Sequence, residues 1–183
     1  MRIIGGRFKR RSLSSPEGKD VRPTTDRTRE AMFNLLVSRL DLDGARVADV
    51  YCGSGSLGLE AYSRGAAWIE FVDQDTRSLS LAQKNAYSLD EYAPCRFSRS
   101  DVVTWARNQR PASFDLILAD PPYHAEGMDE LVDAILPLLT PDGVFLLEHD
   151  RKRNMPASPA LEDDRVYGKS AVAIYRAPSE GEH

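Results

Sequence analysis

Arg46-Val47-Ala48-Asp49-Val50-Tyr51-Cys52-Gly53-Ser54-Gly55-Ser56-Leu57-Gly58-Leu59-Glu60 carries the decision about the fold. Its first five residues are a short apolar run, which reads as a buried strand. The glycines that follow allow a tight turn and close approach of a ligand to the backbone. Ser56 to Arg64 then reads as a helix, ended by Gly65. A strand, a glycine turn and a helix make the first unit of an α/β protein, with the loop N–H groups and helix N-terminus facing a ligand.

The rest of the chain repeats the alternation. Trp68 to Val72, Ala93 to Ser98, Phe114 to Ala119 and Val144 to Glu148 read as strands. Ser78 to Ser88, Val102 to Arg107 and Met128 to Leu139 read as helices between them, and Pro141-Asp142-Gly143 as a turn. Arg151 to Asp164 is polar and reads as a connecting loop. Arg165-Val166-Tyr167 and Ala171 to Tyr175 then form two final strands around Gly168-Lys169. Strand and helix alternate until two strands follow without a helix, so we expect a Rossmann-like, seven-stranded, mostly parallel sheet with an antiparallel last strand. Residues 41–177 would be this domain and 178–183 a disordered tail.

Residues 1–40 would be a small basic hairpin and helix extension. Arg2-Ile3-Ile4 and Arg11-Ser12-Leu13 suggest a hairpin around Lys9-Arg10 that buries little by itself. Thr24 or Thr25 would cap a helix whose apolar stripe is Met32, Phe33, Leu36, Val37 and Leu40. Residues 1–29 hold nine Lys/Arg against three Asp/Glu, a charge of +6; the whole chain is −4, so the remainder is −10. A basic arm on an acidic body suits nucleic acid. Arg2, Arg7, Lys9, Arg10, Arg11, Arg22, Thr25, Arg27 and Arg29 are the candidate RNA contacts.

Acids recur at the strand ends, where open α/β sheets bind ligands. Asp49 just before the glycine turn suits a cationic amino acid tail better than a pyrophosphate, which turns the Gly53-x-Gly55-x-x-Gly58 pattern from NAD toward S-adenosylmethionine. Asp73, 20 residues past Gly53, can accept two ribose hydroxyls, with Asp75 the competing choice. Asp101 can accept an adenine amine or cap the helix after it. Tyr51, Cys52, Ser54 and Gln74 complete the candidate cofactor surface.

Asp120-Pro121-Pro122-Tyr123 closes the Phe114–Ala119 strand. A nucleobase amine is a poor nucleophile because its lone pair is delocalised. The Asp120 carboxylate and the Pro121 carbonyl could each accept one of its N–H bonds and aim the lone pair, while Tyr123 stacks on a flipped base. Two prolines fix the backbone between them. Asp120 also borders the cofactor surface. The two cysteines, Cys52 and Cys95, read as reduced thiols in a cytoplasmic protein, and the sequence offers no metal site, membrane span or signal peptide. His124 and His149 stand alone and read as non-catalytic.

The order glycine turn, ribose acid, adenine acid, Asp-Pro-Pro-Tyr resembles the class I S-adenosylmethionine-dependent methyltransferases that modify amines. Arg2-Ile3-Ile4-Gly5-Gly6, Arg22-Pro23-Thr24-Thr25-Asp26-Arg27-x-Arg29-Glu30-Ala31-x-Phe33-Asn34, Leu57-Gly58-Leu59-Glu60-Ala61-x-Ser63-Arg64-Gly65-Ala66 and Arg165-Val166-Tyr167-Gly168 are further similar to the bacterial RsmD family. That likeness covers nearly the whole chain. It implies methylation of N2 of one guanine in 16S ribosomal RNA, by a monomer acting on a small-subunit particle or assembly intermediate. It implies that Asp49, Gly53 to Gly55, Asp73 and Asp101 hold the cofactor and Asp120 to Tyr123 the guanine. The family usually has Glu at Asp73 and Phe/Tyr-Ala at Tyr51-Cys52. Rival readings are an adenine-N6 or other amino methyltransferase on DNA or another RNA, a non-catalytic RNA-binding module, and an NAD-dependent dehydrogenase.

Overall fold

Val47 to Val50, Asp49 among them, are buried in a central strand, β1 (Arg46–Val50), covered on both faces. The computed structural model describes residues 1–15, 26–122, 124–156 and 158–177. Before β1 comes α1 (Asp26–Leu36), and after it α2 (Ser56–Ser63), β2 (Trp68–Asp73), α3 (Thr76–Leu89) and β3 (Cys95–Arg99). The chain continues through α4 (Val102–Arg107), β4 (Phe114–Ala119), α5 (Met128–Ile135), a 3-10 turn (Leu136–Leu138), β5 (Leu139–Asp150), β6 (Leu161–Tyr167) and β7 (Ser170–Arg176).

One seven-stranded sheet has the order β3-β2-β1-β4-β5-β7-β6. β1 to β5 are parallel, and β7 is antiparallel to both β5 and β6. The winding reverses between β1 and β4, so the crevice for a ligand opens at their carboxyl ends. Helices cover both faces. Val47, Leu116, Val144 and Val172 face α1, α2 and α3, whereas Ala48, Val50, Ile117, Phe145 and Ala173 face α4 and α5. This period of two assigns each strand residue to one of the two cores.

Several elements depart from the sequence expectation. α1 stops at Leu36, where turn bonds from Arg39 N–H and Leu40 N–H to the Leu36 carbonyl carry Val37 into solvent, 74% exposed. α5 gives way to the 3-10 turn at Pro137, which lacks the N–H an α-helix would use. Pro141-Asp142-Gly143 is not a turn before a strand but lies within β5, where the register against β4 jumps between Phe114–Leu139 and Leu116–Val144. β6 begins at Leu161, so the loop after β5 is shorter than expected. Its acids Glu162 and Asp163 pair with Arg39, Arg176 and Arg165 on an edge strand, where charge discourages pairing with another chain.

The arm is anchored rather than loose. Arg2 and Ser12 form an isolated antiparallel bridge, and Ile3 and Leu13 are buried in the same core as Met32, Phe33 and Val47. The packing has no break near residue 40. The proposed capping residues Thr24 and Thr25 and the tail 178–183 lie outside the described residues.

Candidate active site

The glycine turn divides its labour between ligand and packing. Tyr51, Gly53 and Gly55 have φ of 57°, 51° and 77°, and Gly55 N–H closes the turn on the Cys52 carbonyl at 2.7 Å. A Cβ placed on Gly53 would meet nothing within 4 Å, so that backbone borders open space. A Cβ on Gly58 would lie 2.6 Å from the Phe71 ring and 3.0 Å from Asp49 Cβ. Gly58 therefore permits α2 to lie against the sheet. Its N–H donates to Asp49 Oδ2 at 2.8 Å.

Four acids sit at or just past the carboxyl ends of β1, β2, β3 and β4, adjacent strands of the sheet. Asp49 is 1% exposed, and burial pushes its carboxyl well above the usual range; the Gly58 N–H opposes this, and Asp120 and Asp73 add to it. Asp73 Oδ2 accepts from Gly53 N–H at 3.0 Å, and its Oδ1 accepts from Asp75 N–H at 2.9 Å. Asp75 instead caps α3, accepting from the N–H groups of Arg77 and Ser78, which hold its carboxyl low. Asp101 caps α4 through Thr104 N–H at 2.9 Å. Burial pushes the Tyr51 hydroxyl up, and the fields of Asp101 and Asp73 push it further.

The remaining expected residues fall around this set. Cys52 is buried with its thiol pushed well up by burial, Asp49 and Asp73, so it stays neutral. Cys52 and Cys95 are free thiols. Gln74 is exposed at the end of β2. Ser54 is buried, and its carbonyl accepts from Asn85 Nδ2 at 2.9 Å. Asp120 directly follows β4 and is half-buried; Pro121 is buried, and the Pro122 carbonyl accepts from Ala125 N–H at 2.8 Å. Tyr123 lies outside the described residues. Buried His149 is engaged by Asp164 Oδ1 at 3.0 Å.

One arm cation does not take the role expected of it. Arg29 is fully buried, donating to Asp26 and to the Arg2 carbonyl, with Glu60 3.9 Å from its Nε. A side chain so enclosed cannot offer its charge to a phosphate at the surface. Arg7 lies over the Phe8 and Tyr62 rings, 4.8 and 4.2 Å from their centroids. Its N–H bonds Ser63 at the end of α2, far from the glycine turn. Lys9, Arg10 and Arg11 are exposed; Arg11 reaches the Ser88 carbonyl near the end of α3, and Arg2 pairs with Asp26. Arg27 is exposed on α1, whereas Arg22 and Thr25 lie outside the described residues.

Sequence reasoning missed Asn85. Its amide donates to the carbonyls of Ser14 and Ser54 and accepts from Ser14 N–H, tying the arm to the glycine turn. The available signal was a polar amide on the apolar face of α3, between Ala82 and Leu89.

Residues 1–176 match the family described as conserved hypothetical protein 95. The chain is 34% identical to YlbH of Bacillus subtilis, over 96% of this chain and 98% of that protein. It is 30% identical to ribosomal RNA small subunit methyltransferase D of Escherichia coli K12, over 100% of this chain and 92% of that one. The solved structure of yhhF from Escherichia coli superimposes with a TM-score of 0.82 at 29% identity, covering 98% of this chain and 99% of the other.

Proposed function

The chain belongs to this family, that of the RsmD ribosomal RNA methyltransferases, and from that premise we propose that it methylates the exocyclic N2 amine of a guanine in 16S ribosomal RNA. The supporting observation is the row of Asp101, Asp73, Asp49 and Asp120 across β3, β2, β1 and β4, beside a glycine turn whose Gly53 borders open space. That donor set fits S-adenosylmethionine, which is cationic at its amino acid end and rich in hydroxyl and amine donors elsewhere. When bound, it supplies a methyl group already activated on sulfur, so neither a covalent intermediate nor a metal is needed.

In this reading Asp49 and residues Gly53 to Gly55 hold the amino acid end. Asp73 is taken as the ribose ligand over Asp75, because its Oδ2 bonds Gly53 N–H of the glycine turn whereas Asp75 turns to the start of α3. Asp101 meets the adenine amine, and Tyr51, Cys52 and Gln74 line the surface. Asp120 and the Pro121 carbonyl accept the N–H bonds of the target amine, and Tyr123 stacks on the base. The amine proton leaves to Asp120 or to water. Catalysis rests on orientation. The protein acts as a monomer in the cytoplasm on a small-subunit particle; among the described residues no helix is long and apolar enough to cross a membrane.

The deciding experiment is transfer of labelled methyl to small-subunit particles lacking this modification, followed by nucleoside analysis. N2-methylguanosine at one site is expected. Methyladenosine would move the target, and cofactor binding without transfer to any RNA or DNA would overturn the reading.

A pH effect of opposite sign on stability and affinity is expected from Asp49. A carboxyl with a raised folded pKa stabilises the fold below its unfolded value, and that gain is lost as pH rises through the folded value. Attraction for a cationic tail needs the ionised form. S-adenosylmethionine affinity should therefore fall as pH drops through the raised value, while the group's contribution to apo-protein stability grows. Asp49→Asn should weaken binding about tenfold or more and flatten both trends. Calorimetric titrations and thermal melts across a pH series running upward from the ordinary carboxylate range check this; an unchanged pH profile in the variant would refute it.

A further inference from the structure

The exposed rim beyond β5 carries cations that the arm does not account for. Asp150, the last residue of β5, is three positions past Leu147, which pairs with Ala119 at the end of β4. β5 thus projects roughly 10 Å past the strand that presents Asp120. The turn between β6 and β7 lies alongside, because Asp150 pairs with Ser170 and Ser170 with Tyr167. Arg151 and Lys152, just after β5, and Lys169, in that turn, are all exposed at this end. Arg151 Nη1 donates to the Gly168 carbonyl at 3.1 Å, which joins the two segments. The Arg153 guanidinium donates to the Ala125 carbonyl, joining the rim to the segment after Pro122.

Arg151, Lys152 and Lys169 carry charge that forms no ion pair among the described residues; the ion pairs of Arg2, Arg39, Arg64, Arg107, Arg165 and Arg176 occupy carboxylates elsewhere. Of the nearby acids, Asp150 accepts from Lys152 N–H and Asp164 contacts His149. Three unpaired cations beside the Asp120 end of an otherwise acidic body call for a polyanion. Arg29, meanwhile, is fully buried against Asp26 and Glu60.

We infer that Arg151, Lys152 and Lys169 form a second RNA contact, gripping backbone phosphates on the β5 side of the target base. The inference rests on the RNA methyltransferase reading. Phosphate contacts of this kind position the strand without reading sequence.

The test compares wild type with R151A/K152A/K169A in binding small-subunit particles lacking the modification, across a salt series. A control, R46A/R96A/R110A, removes the same charge near the amino ends of β1, β3 and β4. The rim variant should bind about tenfold or more weakly at low salt, with a salt slope reduced by about 2 to 3. Its S-adenosylmethionine affinity and melting temperature should match wild type. Equal loss in the control would assign the effect to net charge and overturn the inference, as would unchanged affinity and slope. A benzophenone side chain at position 152, with the other charges intact, should crosslink to 16S RNA; crosslinks to ribosomal protein alone would also overturn it. If wild type neither binds nor methylates the particles, the methyltransferase reading fails and takes this inference with it. If wild type methylates and the rim variant binds equally well, only the rim contact fails.

Discussion

Asp120→Ala is expected to lower methyl transfer turnover by about 10²–10³-fold, the loss typical of misplacing a reacting group or deleting one electrostatic contact to it. S-adenosylmethionine affinity should hold or rise slightly. The reason lies in the acid row. Asp120 raises the Asp49 carboxyl through its field, so removing that charge makes Asp49 easier to ionise and a better partner for a cationic tail. RNA binding should also persist, because the proposed phosphate contacts lie elsewhere. The defect should therefore appear in kcat at saturating RNA and cofactor. Asp120→Asn separates two roles. Its carbonyl can still accept one N–H of the amine, so orientation partly survives and the loss should be smaller than for alanine. An alanine variant with near-normal turnover would remove Asp120 from the mechanism. A variant whose only change is weaker cofactor binding would make Asp120 a cofactor ligand instead.

Much of the fold was legible because its parallel strands are buried on both faces. Phe114 to Ala119 and Arg46 to Val50 read as apolar runs for that reason, and the glycine turn marks the first crossover. The errors fell where a long-range partner overrides local chemistry. Pro141-Asp142-Gly143 reads as a turn, yet pairing with β4 draws its neighbours into β5. Glu162 and Asp163 read as loop, and only the arginines opposite them make an acidic edge strand tolerable. The acid row was visible because each member lies within two residues of a strand's carboxyl end. Hydrogen bonding distinguishes Asp73 from Asp75: Asp75 caps its own helix, whereas Asp73 bonds the N–H groups of Gly53 and Asp75. Arg29 was misread because a basic residue in a basic segment looks like surface. Its burial depends on Glu60 and Asp26, and on packing that no local window contains.

Glu60 carries the largest expected effect on stability. It is fully buried on α2 and holds the arm to the cofactor-turn helix. Oε2 accepts from Ile4 N–H and Oε1 from Gly5 N–H, each at 2.8 Å, and Arg64 Nε donates to Oε1 at the same distance. Arg29, whose own pKa is pulled down by burial and supported by Glu60 and Asp26, packs behind it. Glu60→Ala strips two backbone N–H groups of their acceptor and leaves a buried guanidinium short of charge. Removing one partner of a buried pair costs about 3–5 kcal/mol. At about 2–4 °C per kcal/mol for a domain of this size, the melting temperature should fall by about 6–20 °C. Glu130→Ala provides the contrast, because the Arg107–Glu130 pair is 64% and 56% exposed and an exposed pair contributes about 1 kcal/mol at most. Glu60→Gln keeps one acceptor oxygen and should fall between the two. The arm should also detach before the sheet unfolds, so trypsin should cut after Lys9, Arg10 and Arg11 faster in the alanine variant at a temperature where the core is intact. Melting within about 2 °C of wild type, with unchanged proteolysis, would mean that water or a rearranged Arg64 replaces the carboxylate, and that the arm is held by Ile3, Leu13 and Asn85 alone.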